Sequence, residues 1–325
     1  MKRRTFIAGL AGAAAWPLAA RAQQQMPVVG FLSPRGRGDD PHLTAAVLQG
    51  LKEAGFIEGQ NVAIEYRFAD SQPDRLPALA ADLVRHQVVM IISTGGNGAA
   101  AAAKAATATI PIVANFGADP VVDGLVASLN RPSGNLTGIS RFSSELLPKR
   151  LELLREVAPE AAVIAFLAYP TGGYAESDVR AVQAAAQALG RQVHLLKAST
   201  EREIEAVFAT LIQSGASALL IENTPLFNSR SRQLAALTLR HAVPASHCVR
   251  EFVVAGGLMS YAPSLADVYR QVGIYAGRVL KGEKPADLPV QQATKIEFMI
   301  NLKTARSFGL TVPLPLLAFA DEVIE

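Results

Sequence analysis

From Met26 onward, short apolar runs alternate with longer stretches of helical periodicity, and this alternation constrains the fold more than any other feature. Val28–Leu32 reads as a buried strand, and His42–Ala54 as a helix ended by Gly55. Val62–Tyr66 is a strand, and Asp74–His86 a helix with Pro73 suited to its start. Val88–Ser93 is a fully apolar strand, Ala99–Ala106 is helical by propensity, and Ile110–Asn115 and Leu136–Ile139 are strands. The second half repeats the theme. Helices are expected at Leu146–Val157, Glu176–Leu189, Glu201–Gln213, Ser229–Arg240 and Ala266–Leu280. Strands are expected at Ala162–Leu167, Val193–Leu196, Ala218–Ile221, Pro244–His247, Gly257–Ser260 and Ile296–Asn301. Strands separated by helices of this length cannot pair as hairpins, so the sheets are parallel with right-handed crossovers. A chain of 325 residues exceeds one ordinary core. Two successive strand–helix series therefore mean two doubly wound α/β lobes, and the Gly-, Pro-, Asn- and Ser-rich stretch 130–140 is the expected first crossing between them.

The first residues belong to a different category. Lys2-Arg3-Arg4-Thr5-Phe6-Ile7 precedes an apolar run from Ala8 to Ala20, followed by the small-x-small sequence Ala20-Arg21-Ala22. Basic, apolar and cleavage regions in that order make residues 1–22 an export signal peptide cleaved after Ala22, and the paired arginines match the twin-arginine type. The expected location is the periplasm. The apolar run is shorter than the ~20 residues a membrane span needs, and no later segment reaches that length without charge or proline, so the mature chain is not expected to be membrane-embedded. The formal charge of +3 also comes from this segment, because Lys2, Arg3, Arg4 and Arg21 all lie in it. A body so near neutrality offers no footprint for nucleic acid. The single cysteine, Cys248, forms no intrachain disulfide and reads as a small core residue. His42, His86, His194, His241 and His247 show no paired metal spacing, and there is no Gly-x-Ser-x-Gly elbow, so neither a metal site nor a catalytic residue is expected.

Several strings carry a family resemblance. Leu125-Val126-Ala127-Ser128-Leu129-Asn130-Arg131-Pro132, followed by Gly134-Asn135-Leu136-Thr137-Gly138, is one, and Lys281-Gly282-Glu283-Lys284-Pro285-Ala286-Asp287-Leu288-Pro289 is another. Gly30-Phe31-Leu32-Ser33, Lys149-Arg150-Leu151-Glu152-Leu153-Leu154 and Gly256-Gly257-Leu258-Met259-Ser260-Tyr261 add to them. Together they resemble the ABC-transporter substrate-binding family of periplasmic binding protein type I fold, which includes tryptophan- and tyrosine-binding members. The resemblance implies an α/β fold of two doubly wound parallel-sheet lobes joined by a three-segment hinge. The N-terminal lobe would comprise residues 27–139 plus 262–295, and the C-terminal lobe 140–261 plus 296–325. It also implies a receptor without enzymatic activity or cofactor. Its partners would be a small-molecule ligand, of amino-acid or aromatic type, and an inner-membrane ABC permease.

Ligands of open α/β sheets bind at the carboxyl ends of the strands. Ser33 ends the first strand. Thr94-Gly95-Gly96-Asn97 links the apolar strand to an Ala-rich helix, where glycines admit a ligand to the backbone and a helix N-terminus favours a carboxylate. Phe116 and Asp119 follow the next strand, Asp119 serving equally as the cap of a helix expected from about Val121. In the second lobe the corresponding residues are Tyr169, Thr171 and Tyr174, where family members often carry Asn-Pro and this chain has Tyr169-Pro170. Asn223 follows at the next strand end, with Phe227 as a stacking surface or a packing residue, and Tyr261 lies at a crossing between lobes. A rival reading rests on Gly96-x-Gly98-x-x-Ala101, which fits a dinucleotide pattern and would make the chain an exported NAD-dependent oxidoreductase. Those glycines follow a later strand rather than the opening one, and no paired acid and base accompanies them.

Overall fold

The computed structural model describes residues 26–141, 143–170 and 175–325. The export signal, Thr171 and Tyr174 lie outside the described residues. The first unit contains β1 (Val28–Ser33), α1 (Pro41–Glu53), β2 (Ala63–Phe68), α2 (Leu76–Arg85), β3 (Met90–Ser93), α3 (Asn97–Ala106), β4 (Ile112–Phe116) and β5 (Leu136–Ser140). The second begins with α4 (Leu147–Val157), β6 (Val163–Ala168), α5 (Ala175–Ala188), β7 (Gln192–Lys197), α6 (Glu201–Gln213) and β8 (Ala218–Ile221). It continues with α7 (Pro225–Ser229), α8 (Ser231–Arg240), β9 (Ala245–His247), α9 (Arg250–Val254) and β10 (Met259–Pro263). The chain then returns to the first unit with α10 (Leu265–Leu280) and β11 (Gln291–Gln292). It ends in the second with β12 (Ile296–Asn301), α11 (Leu302–Ser307), α12 (Leu314–Phe319) and β13 (Glu322–Ile324).

The first sheet has six strands in the order β11-β5-β4-β3-β1-β2, and the second has seven in the order β13-β12-β10-β9-β8-β6-β7. Pairing is parallel except between β10 and β12, which run antiparallel. Each sheet is covered on both faces by apolar side chains, which explains why its central strands are apolar runs without alternation. Both sheets reverse their winding at one point, between β1 and β3 in the first and between β6 and β8 in the second. Such a reversal splays the helices on the two faces apart and opens a crevice at the strand ends.

Helix α10 is what binds the returning segment to the first lobe. Ser264 caps it, accepting the Asp267 N–H, and Val268, Tyr269, Val272, Ala276 and Val279 form its buried stripe. It packs closely on α1 because both helices carry glycine at the contact. A Cβ on Gly50 would lie 1.9 Å from the Arg270 carbonyl oxygen, and one on Gly273 would lie 2.1 Å from that of Val47.

One expected element is absent. No helix follows Asp119-Pro120; residues 120–124 form a turn in which the Asp119 carboxylate accepts the Val121 N–H at 2.7 Å. No helix among the described residues is long and apolar enough to cross a membrane.

Candidate functional site

On the first lobe the site is built around the β1/β3 reversal. Ser33 ends β1 almost fully buried, its hydroxyl accepting the Arg35 N–H at 3.2 Å. Thr94 follows β3, also buried; its hydroxyl donates to the Leu32 carbonyl at 3.4 Å, and it borders the same pocket as Tyr269 of α10. Gly95 and Gly96 take φ angles of +83° and +102°, a region that side chains disfavour, and so turn the chain sharply into α3. Helix α3 has no side-chain cap, so the N–H groups of its first turn are left for solvent or a ligand. Asn97 does not supply that cap. Its Oδ1 accepts the Gly117 and Ala118 N–H groups at 2.9 and 3.3 Å, and its Nδ2 donates to Asp123 at 2.6 Å. The side chain thus ties the Gly-rich loop to the loop after β4.

On the second lobe the reversal lies between β6 and β8. The Tyr169 N–H, just past β6, donates to the Glu222 carboxylate at 2.5 Å, just past β8. Glu222 is almost fully buried, and burial pushes its carboxyl up to about 7. Asn223 Oδ1 accepts from Asn228 at 2.8 Å and from the Cys248 thiol at 3.1 Å. Beneath these strand ends, the fully buried Arg150 guanidinium donates to the carbonyls of Ile221 and Ser246, each at 2.7 Å, locking β8 and β9 in register. Burial pushes the Cys248 thiol up and the His247 imidazole down to about 3. His247 Nδ1 accepts the Cys248 backbone N–H at 2.7 Å rather than the thiol proton. A protonated thiol without a base is the reverse of an activated nucleophile.

Between the lobes lies a cavity of about 620 Å³. The first lobe contributes His42, Leu43 and Leu265 to it, and the second Val249, Ser260 and Met299. Arg141, immediately after β5, lines it at the first crossing. Leu43 is shared with a narrow adjoining pocket of about 10 Å³, lined by Ser33, Thr94, Arg35 and Tyr269. Asp40 and His42 of the first lobe and Glu251 of α9 bring one ligand atom each within 4.8 Å of one another. They are the described residues placed to hold a metal ion, although Asp40 is already paired with Arg35.

The structure therefore gathers Ser33 and Thr94 at one crevice, Gly96, Asn97 and Asp119 at the neighbouring loops, and Tyr169 and Asn223 at the opposite crevice. Three expected contacts are elsewhere. Phe116 and Phe227 are fully buried in the apolar cores of their lobes and present no surface to a ligand. Tyr261 lies on the face of β10 opposite the cavity, its ring 6.3 Å from that of Phe298 and 6.1 Å from that of Phe319. Arg35, Arg141 and Tyr269 escaped the sequence reading. Arg141 carried a usable signal, since it directly follows a strand at a crossing.

The model of the family described as ABC transporter substrate binding protein matches residues 41–324. A tyrosine-binding protein of Clostridioides difficile (strain R20291) is 25% identical over 265 residues, which are 81% of this chain and 75% of that one. An ABC domain from Streptococcus pneumonia, solved in complex with L-Trp, superposes with a TM-score of 0.82 at 24% identity, covering 92% of this chain and 99% of that one. The ligand-free, open structure of a substrate-binding protein with adhesive properties from Clostridium difficile gives 0.73 at 22% identity, with the same coverages. At these identities the two structures speak for the fold, a periplasmic binding protein type I architecture, while the family model spans most of the chain. The chain belongs to the ABC transporter substrate-binding protein family.

Proposed function

We propose that this chain is the periplasmic receptor of an ABC importer, exported by its first 22 residues, and that it captures a small carboxylate-bearing ligand without chemical change. The two lobes, 27–139 with 262–295 and 140–261 with 296–325, would close over the ligand about their three connections and present it to a permease. The observation that carries this reading is the pair of winding reversals. Each lobe opens its crevice at strand ends, and a 620 Å³ cavity separates the lobes. The uncapped start of α3 after Gly95-Gly96 suits a carboxylate. Ser33, Thr94, Asn97 and Asp119 would shape that end of the site, and Tyr169, Thr171, Tyr174 and Asn223 the other. The tyrosine-binding relative and the L-Trp complex support an amino-acid-like or aromatic cargo. The protonated Cys248 and neutral His247 support binding rather than catalysis.

The test is Gly96→Val. An added Cβ meets nothing closer than the Gly117 amide, at 4.0 Å, so no neighbour has to shift while the side chain fills the ligand's approach; the φ of +102° strains any side chain there, so the variant's own melting temperature should fall. Loss of a buried charged contact costs on the order of 2–5 kcal/mol, at least about thirtyfold in affinity. The expected result is a vanished ligand-induced melting shift with an unchanged far-UV spectrum. Wild-type affinity in the variant would sink the placement of the carboxylate at this loop.

A further inference from the structure

We infer that the ligand's carboxylate pairs with Arg141. This inference rests on the receptor reading and names the residue that holds the ligand's acid group.

Arg141 leaves β5 with its backbone N–H on the Phe116 carbonyl at 3.1 Å, which sends its side chain into the space between the lobes. Its Nε is buried without a hydrogen-bond partner. Its Nη2 lies 3.3 Å from where a Cβ on Gly117 would sit, and the vacant side of Gly96 faces the Gly117 amide. The guanidinium thus borders the same small space as the loop Thr94–Asn97. It also acts electrostatically on Tyr269 of the first lobe and on Cys248 of the second, so it stands where closing lobes meet.

Charge matching around the cleft sets Arg141 apart. Arg35 is paired with Asp40, Arg250 with Glu322 at 2.6 Å, and Lys295 with Glu297 at 3.3 Å. Arg141 has no ion pair among the described residues. Three acids nearby each accept a backbone N–H group rather than pairing with Arg141. Asp119 accepts the Val121 N–H, Asp321 accepts the Phe298 N–H at 2.8 Å, and Glu222 accepts the Tyr169 N–H. Glu251 shares its surroundings with Asp40 and His42. A half-buried guanidinium with an unmet donor is matched in shape and charge by a carboxylate, which accepts two parallel N–H bonds.

Matched triplets test this. 3-Phenylpropionate, L-phenylalanine and phenethylamine share one skeleton, as do 4-methylpentanoate, L-leucine and isoamylamine. Each is titrated into the wild-type protein, Arg141→Gln and Arg141→Lys, with melting shift and calorimetric affinity as readouts. In at least one triplet the acid, the amino acid or both should bind, and the amine not at all. Arg141→Gln should weaken the bound carboxylate by at least about tenfold, and Arg141→Lys should recover part of the loss. An amine bound as well as its carboxylate counterparts, or carboxylate affinity unchanged in Arg141→Gln, overturns the inference and leaves the receptor reading standing. No binding from any triplet overturns both. The triplet comparison in the wild-type protein decides the matter even if Arg141→Gln fails to fold.

Discussion

Glu222 and His247 are both buried in the same lobe, and burial acts on them in opposite senses. An unfolded glutamate releases its proton near 4.5, whereas Glu222 in the fold holds it up to about 7. Between those values the folded state carries more protons, so stability falls as pH rises from 4.5 to 7 and is level above. His247 is the mirror case. Unfolded histidine protonates near 6.5 but the buried ring stays neutral down to about 3, so stability falls as pH drops through that window. The two slopes nearly cancel between pH 4.5 and 6.5. Glu222→Gln keeps an acceptor for the Tyr169 N–H and removes one slope. Its stability should therefore climb steadily from pH 4 to 6.5, and at pH 8 exceed that of the wild type by on the order of 1–3 kcal/mol, measured by urea unfolding. Strand-end logic led to Asn223 because a polar group at the end of an apolar strand has few other uses. It misplaced Phe116, Phe227 and Tyr261 because it does not say to which face of the sheet a side chain points. Arg141 was passed over because the segment before it looked like a linker.

Among the elements, the α1–α10 contact decides between two opposed expectations. Helix propensity alone makes Gly273→Ala stabilising by about 1 kcal/mol. The structure puts the new methyl 2.1 Å from a backbone carbonyl, where only a shift of one whole helix relieves it. Gly273→Ala should lower stability by at least about 3 kcal/mol, and Gly50→Ala likewise; an increase in either would contradict the packing described here. Most elements were legible because period and length separate strands of four to six residues from helices of ten or more. The α6 and β8 boundaries agree to the residue with the sequence reading. Short elements such as α7, α9, β11 and β13 complete less than two helical turns or a strand of three, too little for a period to register. Asp119-Pro120 shows the converse. Its capping signal is real, but the cap closes a turn that Gly124, with φ at +66°, ends before a helix can form.

At the scale of the molecule, the sequence pointed to two parallel sheets, and the order of their strands came from the tertiary structure. Nothing in the local pattern tells β1 to lie between β2 and β3, yet that placement puts Ser33 beside Thr94. The same arrangement in the second sheet puts Tyr169 beside Glu222. The cavity between the lobes draws on residues from His42 to Glu322, a separation no motif spans. A ligand held there binds the folded state alone and stabilises it by about 2.7 kcal/mol at a hundredfold excess over its dissociation constant. For a chain of this size that is a melting shift of several degrees. The most direct measurement is therefore a thermal-shift screen of the purified protein against amino acids, aromatic acids, short fatty acids, purines and nicotinamide cofactors. A shift of several degrees is expected with a small carboxylate and none with the cofactors. A shift with a nicotinamide cofactor alone would contradict the receptor reading.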